Sequence, residues 1–244
     1  MKPFEATPAS AVSIDEGCSA FDAEGAARHL AARDMRLGEL IRRVGPCRLR
    51  QKAAQSTFEA LAESIIYQQL TGKAAGTIHA RVQALFIGSR FAPETLLAID
   101  DAALRGAGVS RGKIIALRDL AARTLDGTVP PIAHLSTMAD EAIINRLVTV
   151  RGIGRWTAEM LLIFRLGRPD VLPVGDLGVR QGFKLAYRKR TMPTSSDLAR
   201  FGEAWRPYRT AASWYLWRAV DLLRPAVVPK VVPKESTRAQ SRAR

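Results

Sequence analysis

Apolar residues recur at intervals of three and four along most of the chain, which is the spacing of an amphipathic α-helix. The clearest stripe begins at a capping box formed by Ser56 and Glu59 and continues to Leu70. No alternating run is long enough to form the strands of a sheet. The pattern therefore predicts an all-α protein.

Capping residues, glycines and prolines divide this pattern into successive helices. Gly72 interrupts the first stripe, Pro93 and Asp100 each begin a short helix, and Ser110 begins a longer helix that Gly127 ends. Further helices are predicted at 139–148, 155–165, 176–187, 196–205 and 207–223.

The two ends of the chain differ from this helical part. We expect residues 1–20 to be a mobile N-terminus and residues 21–224 to form one helical domain. Residues 225–244 contain three prolines and the sequence VVPK twice, so we predict a disordered basic tail there.

Positive charge is concentrated in the second half of the chain. The 244 residues carry a formal net charge of +14, and the segment 145–218 alone holds 14 Lys or Arg against 5 Asp or Glu. Such an asymmetry predicts a polyanionic partner, either nucleic acid or an anionic membrane surface. No apolar run approaches the roughly 18 residues that a membrane helix needs.

Cysteine and histidine are too sparse for a metal site. Cys18 and Cys47 are the only cysteines, which excludes a four-cysteine iron–sulfur cluster and a cysteine-based zinc site. His29, His79 and His134 stand far apart in the sequence. We therefore expect a reduced, cytoplasmic protein.

A tight Gly-x-Gly turn joins two amphipathic helices near residue 152. Gly152 and Gly154 allow unusual backbone angles and leave room for a ligand, while the helix that begins at Arg155 directs free N–H groups and its dipole toward the turn. This arrangement suits a DNA phosphate. An ordinary helical turn with glycines for packing is the alternative, and Arg151 together with Arg155 favours the phosphate.

A second loop, residues 171–180, places Asp176 where a helix should begin. Asp is a common N-cap, so a purely structural role is the alternative to a chemical one. The two roles need not compete, since one carboxylate at a helix N-terminus can serve both.

These motifs resemble the helix–hairpin–helix DNA glycosylase superfamily, and most closely its 3-methyladenine DNA glycosylase II branch, which repairs alkylated DNA. The resemblance runs from about Phe58 to Asp221 and places the hairpin motif at about 139–165. It is carried by Ser64–Leu70, GIGRWTA at 152–158, DVLPVGDLGV at 170–179 and the segment Trp205–Trp217.

The resemblance implies a two-lobed helical bundle with its active site in the cleft between the lobes. Asp176 would be the catalytic residue, stabilising an oxocarbenium-like transition state after the base is flipped out of the DNA. Trp156, Met160, Trp217 and Tyr67 would line the substrate pocket, although a tryptophan on an apolar helix face is otherwise typical of a core. The implied DNA-binding residues are Gln69, Leu70, Gly152, Ile153, Gly154, Arg155 and Thr157.

Within that set, Gln69 and Leu70 match the stretch that fills the gap left by the flipped base. The alternative for the glutamines is the hydrogen-bonded end of a helix. Met160 occupies a position that is aromatic in some members of the superfamily. Strand-cleaving members carry a Schiff-base lysine where this chain has Trp156, which implies a monofunctional enzyme.

The resulting functional hypothesis is a monofunctional glycosylase that removes alkylated purines from duplex DNA. A non-catalytic helix–hairpin–helix DNA-binding protein and a glycosylase for deaminated or mismatched bases are the alternatives. We expect no required cofactor, with a structural Na⁺ or K⁺ at the hairpin held by the carbonyl groups of Val148, Val150 and Ile153. We also expect a monomer that binds double-stranded DNA with alkylated bases, binds no membrane and is nucleoid-associated if bacterial.

Overall fold

The computed structural model describes residues 21–52, 56–86, 88 and 90–223, and this part of the chain contains α-helices but no β-strand. The all-α prediction is confirmed. None of the described helices is long and apolar enough to cross a membrane. The α-helices are α1 (Ala23–Arg33), α2 (Met35–Val44), α3 (Thr57–Tyr67), α4 (Gly72–Ala84), α5 (Pro93–Ala98), α6 (Asp101–Gly106), α7 (Arg111–Leu125), α8 (Ile132–Thr137), α9 (Asp140–Leu147), α10 (Arg155–Phe164), α11 (Leu177–Ala186), α12 (Ser195–Gly202) and α13 (Arg209–Leu223).

The first lobe combines helices from both ends of the described chain. α2 packs against α1 and α13, and α13 lies along α11. These last two helices approach closely because a Cβ atom at Gly182 would collide with the carbonyl group of Leu216. The lobe buries Leu30, Leu37, Trp205 and Tyr215 completely.

The second lobe is formed by the helices between α3 and α10. α3 packs against α4, α7 and α10, and α7 also contacts α5 and α6. The apolar stripe of α3 (Phe58, Leu61, Ile65 and Ile66) is buried, as predicted from the spacing. Because α10 leads directly into the loop before α11, the chain crosses between the lobes at residues 165–176.

Most of the predicted helices are present with bounds within a few residues. Ser56, Ser110 and Asp176 each accept a hydrogen bond from a first-turn amide, which confirms them as N-caps. The interruption predicted at Gly72 lies slightly earlier: α3 ends at Tyr67, Thr71 caps α4, and Gly72 is the first residue of that helix.

Three helices were not predicted: α1, α2 and α8. α1 buries only Ala26 and Leu30, and α8 is six residues long and buries only Leu135. Such short apolar stripes carry little periodicity, and packing against other helices stabilises these elements. The predictions for residues 1–20 and 225–244 lie outside the described residues.

A half-buried carboxylate joins the helices of the first lobe. Asp34 caps α2 through Leu37, whose amide nitrogen lies 3.0 Å from Oδ1. Oδ2 of Asp34 accepts hydrogen bonds from the Tyr187 hydroxyl and from Nε1 of Trp205, the latter at 3.0 Å. Burial, reinforced by the Asp34 hydrogen bond, raises the pKa of Tyr187 far above its usual value.

Replacing Asp34 by alanine should destabilise the protein by about 2–4 kcal/mol, because it removes a cap and leaves the buried indole N–H of Trp205 and the half-buried hydroxyl of Tyr187 without an acceptor. Asp22→Ala is the matched control, since Asp22 caps α1 through a single bond to Gly25 at the surface. We expect at most about 1 kcal/mol for that variant. Equal losses for the two variants in urea denaturation would contradict this account of the Asp34 network.

Candidate active site

The hairpin lies between α9 and α10 and packs on α7. Gly152 has φ +80°, and a Cβ atom there would lie 3.0 Å from Cβ of Ala116. Glycine is therefore required at this position for both conformation and space. The expectation for Gly154 is corrected: its φ is −95°, an ordinary extended value, and a Cβ atom at this position would have no neighbour within 4 Å.

The hairpin leaves the N-terminus of α10 exposed to solvent. Gly154 is the N-cap of this ten-residue helix and supplies no side-chain cap. Arg155 and Trp156, the first residues of α10, are exposed. Ile153 and Thr157 are buried, so these two members of the predicted DNA-binding set can offer DNA only their backbone. The Ile153 amide is already bonded to the Val150 carbonyl oxygen at 3.1 Å.

Arg155 is held by two carboxylates rather than standing free. Its terminal nitrogens donate to both carboxylate oxygens of Glu141 at 2.7 and 2.8 Å, and its Nε donates to Glu159 at 3.0 Å. The guanidinium is thus neutralised locally. Any phosphate contact by this side chain requires it to release Glu141, the exposed partner.

Glu159 is a buried ionisable group that the sequence did not single out. Its side chain is 6% exposed. Burial raises its pKa to about 7, opposed by Arg155 and reinforced by the negative charges of Glu141 and Asp176. The carboxyl of Glu159 therefore lies within electrostatic range of the predicted catalytic residue.

Asp176 begins α11 and is fixed by three donors. Oδ1 accepts from the Val179 amide at 2.7 Å and from Nε1 of Trp217 at 2.9 Å, while Oδ2 accepts from Nε1 of Trp156 at 2.7 Å. Trp156 comes from α10 of the second lobe, and Trp217 comes from α13 of the first. The carboxylate consequently lies where the lobes meet, and the structure brings together three of the residues predicted for the site.

Aromatic side chains lie beside this carboxylate. The ring of Trp217 stacks on Phe164, the last residue of α10, with centroids 5.9 Å apart and planes 18° apart. Trp156 is 48% exposed, a large fraction for an indole. Phe164 was not predicted from the sequence, because an apolar residue at a helix end has the signature of a core position.

The remaining predicted pocket and DNA-binding residues lie on α10 and on the turn after α3. Met160 is half-buried on α10. Tyr67 makes its ring contact with His79 of α4, centroids 5.9 Å apart, and not with the two indoles. Gln69 is exposed and Leu70 is half-buried in the turn that follows α3.

The hairpin also contains the predicted ligands of a monovalent cation. Backbone carbonyl oxygens are suitable donors for a hard cation, and that of Val150 already accepts the Ile153 amide. The Na⁺ or K⁺ bound by Val148, Val150 and Ile153 stays a prediction. Among the described residues, no cluster of His, Cys, Asp and Glu could hold a metal.

Two helices joined by a tight glycine hairpin, within a fold made of helices alone, define a helix–hairpin–helix protein. The family model of the HhH-GPD superfamily base excision DNA repair proteins matches residues 62–207. The chain belongs to this superfamily, in its alkylation-repair branch.

Named relatives support that placement. DNA-3-methyladenine glycosylase 1 of Schizosaccharomyces pombe is 36% identical over 196 residues, which cover 80% of this chain and 86% of that protein. The structure of the S. pombe 3-methyladenine DNA glycosylase Mag1 with abasic DNA matches with a TM-score of 0.73 and 35% identity, covering 81% of this chain and 97% of the other. The DNA-3-methyladenine glycosidase structure from Bacillus halodurans has a TM-score of 0.73 and 39% identity, covering 80% and 88%.

Substitution of the two hairpin glycines by alanine should have different effects. Gly154→Ala should reduce affinity for duplex DNA about 10-fold without lowering the melting temperature, because its methyl group meets only an incoming phosphate. Gly152→Ala should destabilise the fold by about 1–2 kcal/mol, since it adds a Cβ at positive φ. Binding titrations and thermal unfolding measure both effects. Unchanged DNA affinity in Gly154→Ala would remove Gly154 from the predicted phosphate site.

Glu159→Gln should flatten the pH dependence of stability between pH 4.5 and about 7. The Glu159 carboxyl binds its proton more tightly in the folded protein than in the unfolded chain. Its contribution to the free energy of unfolding is therefore fully present below pH 4.5 and is lost as pH rises through about 7. Relative to wild type, the variant should gain up to about 3 kcal/mol across that window. Parallel stability curves for the two proteins in urea titrations would contradict the raised pKa.

Proposed function

We propose that this protein hydrolyses the N-glycosidic bond of alkylated purines, such as 3-methyladenine and 7-methylguanine, in duplex DNA and so begins base excision repair. Family membership and the glycosylase names of its relatives support this activity. The observation that carries the proposal is the Asp176 carboxylate, which hydrogen-bonds to an indole from each lobe. A module that only binds DNA needs neither the carboxylate nor the indoles.

Asp176 supplies the charge that the reaction requires. As the bond between the base and C1′ breaks, positive charge develops on the sugar, and a fixed carboxylate stabilises it. A carboxylate has about four acceptor sites. Val179 and Trp217 occupy both sites of Oδ1, whereas Oδ2 accepts only from Trp156 among the residues that the structure describes. Oδ2 therefore keeps a site with which to orient the attacking water.

The indoles recognise the base by its charge. A purine methylated at N3 or N7 carries a positive charge and leaves as a neutral base, so the reaction needs no strong acid for the leaving group. An aromatic face attracts such a cation by roughly 0.5–2 kcal/mol. Trp156 is exposed enough to contact a flipped base, and Trp217 is held in place by Phe164. Met160 extends this surface along α10.

DNA is held by the hairpin and by the turn after α3. The uncapped first turn of α10, beginning at Gly154, takes a phosphate. Gln69 and Leu70 enter the DNA stack and fill the space that the flipped base leaves. We infer that the protein acts on double-stranded alkylated DNA as a monomer in the cytoplasm, or at the nucleoid if bacterial.

Wild-type protein incubated with methylated duplex DNA should release methylated purines and leave an intact strand with abasic sites. The strand stays intact because Trp156 replaces the lysine that would form a Schiff base. Chromatography identifies the released bases, and denaturing gels detect strand breaks before and after alkali. Tight DNA binding without base release would support the binding-protein alternative, and a borohydride-trapped enzyme–DNA adduct would contradict the monofunctional assignment.

A further inference from the structure

The turn between α3 and α4, residues Gln68–Thr71, adopts a conformation that needs external support. Gln69 is exposed and has φ +58°, one of two positive values among the non-glycine residues described. A left-handed backbone costs about 1–2 kcal/mol at a residue with a Cβ. It persists only where neighbouring groups hold it.

Lys113, in the first turn of α7, provides that support through hydrogen bonds to the turn. Its Nζ donates to the carbonyl oxygens of Ile66 at 2.7 Å and Gln68 at 2.8 Å, which belong to the end of α3 and the turn. A cation at a helix C-terminus is electrostatically favoured. Burial lowers the pKa of Lys113, so the ammonium group has exchanged part of its hydration for these carbonyls.

The same turn is bonded to the phosphate-binding hairpin. Nε2 of Gln68 donates to the Gly152 carbonyl oxygen at 2.8 Å. Farther along α7, Asp119 accepts the backbone N–H of Arg151 at 2.7 Å. Lys113 and Asp119 are six residues apart on one rigid helix, about 9 Å along its axis. α7 thus sets the distance between the turn that carries Gln69 and the hairpin.

We propose that Lys113 and the Gln68 amide are positioning residues for base extrusion, which hold Gln69 so that it enters the DNA stack when the hairpin binds its phosphate. The proposal rests on the proposed function and assigns a role that neither Asp176 nor the indoles supply. Lys113 does not touch the reacting atoms. Its loss should therefore slow flipping and leave bond cleavage in an already extruded base unchanged.

The test is single-turnover release of 7-methylguanine at saturating enzyme from two duplexes. In one duplex the lesion faces cytosine, and in the other it faces an abasic-site analogue, where extrusion costs less. Lys113→Met is the main variant. Arg111→Met is the matched control, because it removes the same charge from an exposed position in the same turn of α7. Gln68→Ala is a second variant at a half-buried position, in case Lys113→Met folds poorly.

Lys113→Met and Gln68→Ala should release the paired lesion at least about 10-fold more slowly than wild type and the unpaired lesion within about 2-fold. Arg111→Met should keep the wild-type ratio of the release rates from the two duplexes. In a Gln69→Ala background, Lys113→Met should cause almost no further decrease in the release rate of the paired lesion, since Lys113 acts through Gln69.

Equal slowing on both duplexes, or additive effects of Lys113→Met and Gln69→Ala, would overturn the inference while leaving the glycosylase activity standing. A wild-type protein that releases no base from either duplex would overturn the proposed function and the inference with it.

Discussion

The site depends on one carboxylate that both lobes hold. Asp176 accepts an indole N–H from α10 and another from α13, and its own helix occupies a third acceptor position. Because these donors come from separate lobes, the carboxylate keeps its orientation only while the lobes keep theirs. Preorganisation of this kind lets a charge stabilise a transition state without reorienting during the reaction.

The hairpin and the turn after α3, which we propose to bind DNA, are aligned by α7. Ala116 lies under Gly152, Asp119 holds the Arg151 amide and Lys113 holds the turn that carries Gln69. These contacts place the proposed phosphate site and Gln69, the residue proposed to enter the DNA stack, on one helix. Arg155, in contrast, is paired with Glu141 and Glu159, so the positive potential at the start of α10 rests more on backbone N–H groups than on this side chain.

The sequence was sufficient for elements whose signals are local. N-caps such as Ser110 and the stripe along α3 could be predicted, because capping and periodicity involve residues within a few positions. Gly152 has the positive φ that requires glycine, as predicted, whereas Gly154 has an ordinary extended conformation. A Gly-x-Gly pattern cannot show which of its two glycines adopts the unusual conformation. α1, which buries only two residues, and the six-residue α8 were not predicted, because tertiary packing rather than a local signal stabilises them.

The contacts that build the site are long-range and could not be read from spacing. Trp156 and Trp217 lie 20 and 41 positions from Asp176, and nothing in the sequence shows that their N–H groups converge on it. Lys113 lies 45 positions from Gln68. The charge surplus in residues 145–218 does not show which basic side chains are available to DNA, since Arg168 and Arg209 pair with Asp140 and Asp170.

Single-turnover base release by Asp176→Asn tests the central claim most directly. Asparagine keeps the size of the side chain but removes its charge and turns one oxygen into a donor that faces an indole N–H. Release of 7-methylguanine should fall at least about 100-fold, with DNA affinity unchanged or higher. Asp197→Asn, which removes an exposed charge on α12, should behave as wild type. Release by Asp176→Asn at the wild-type rate would contradict the account.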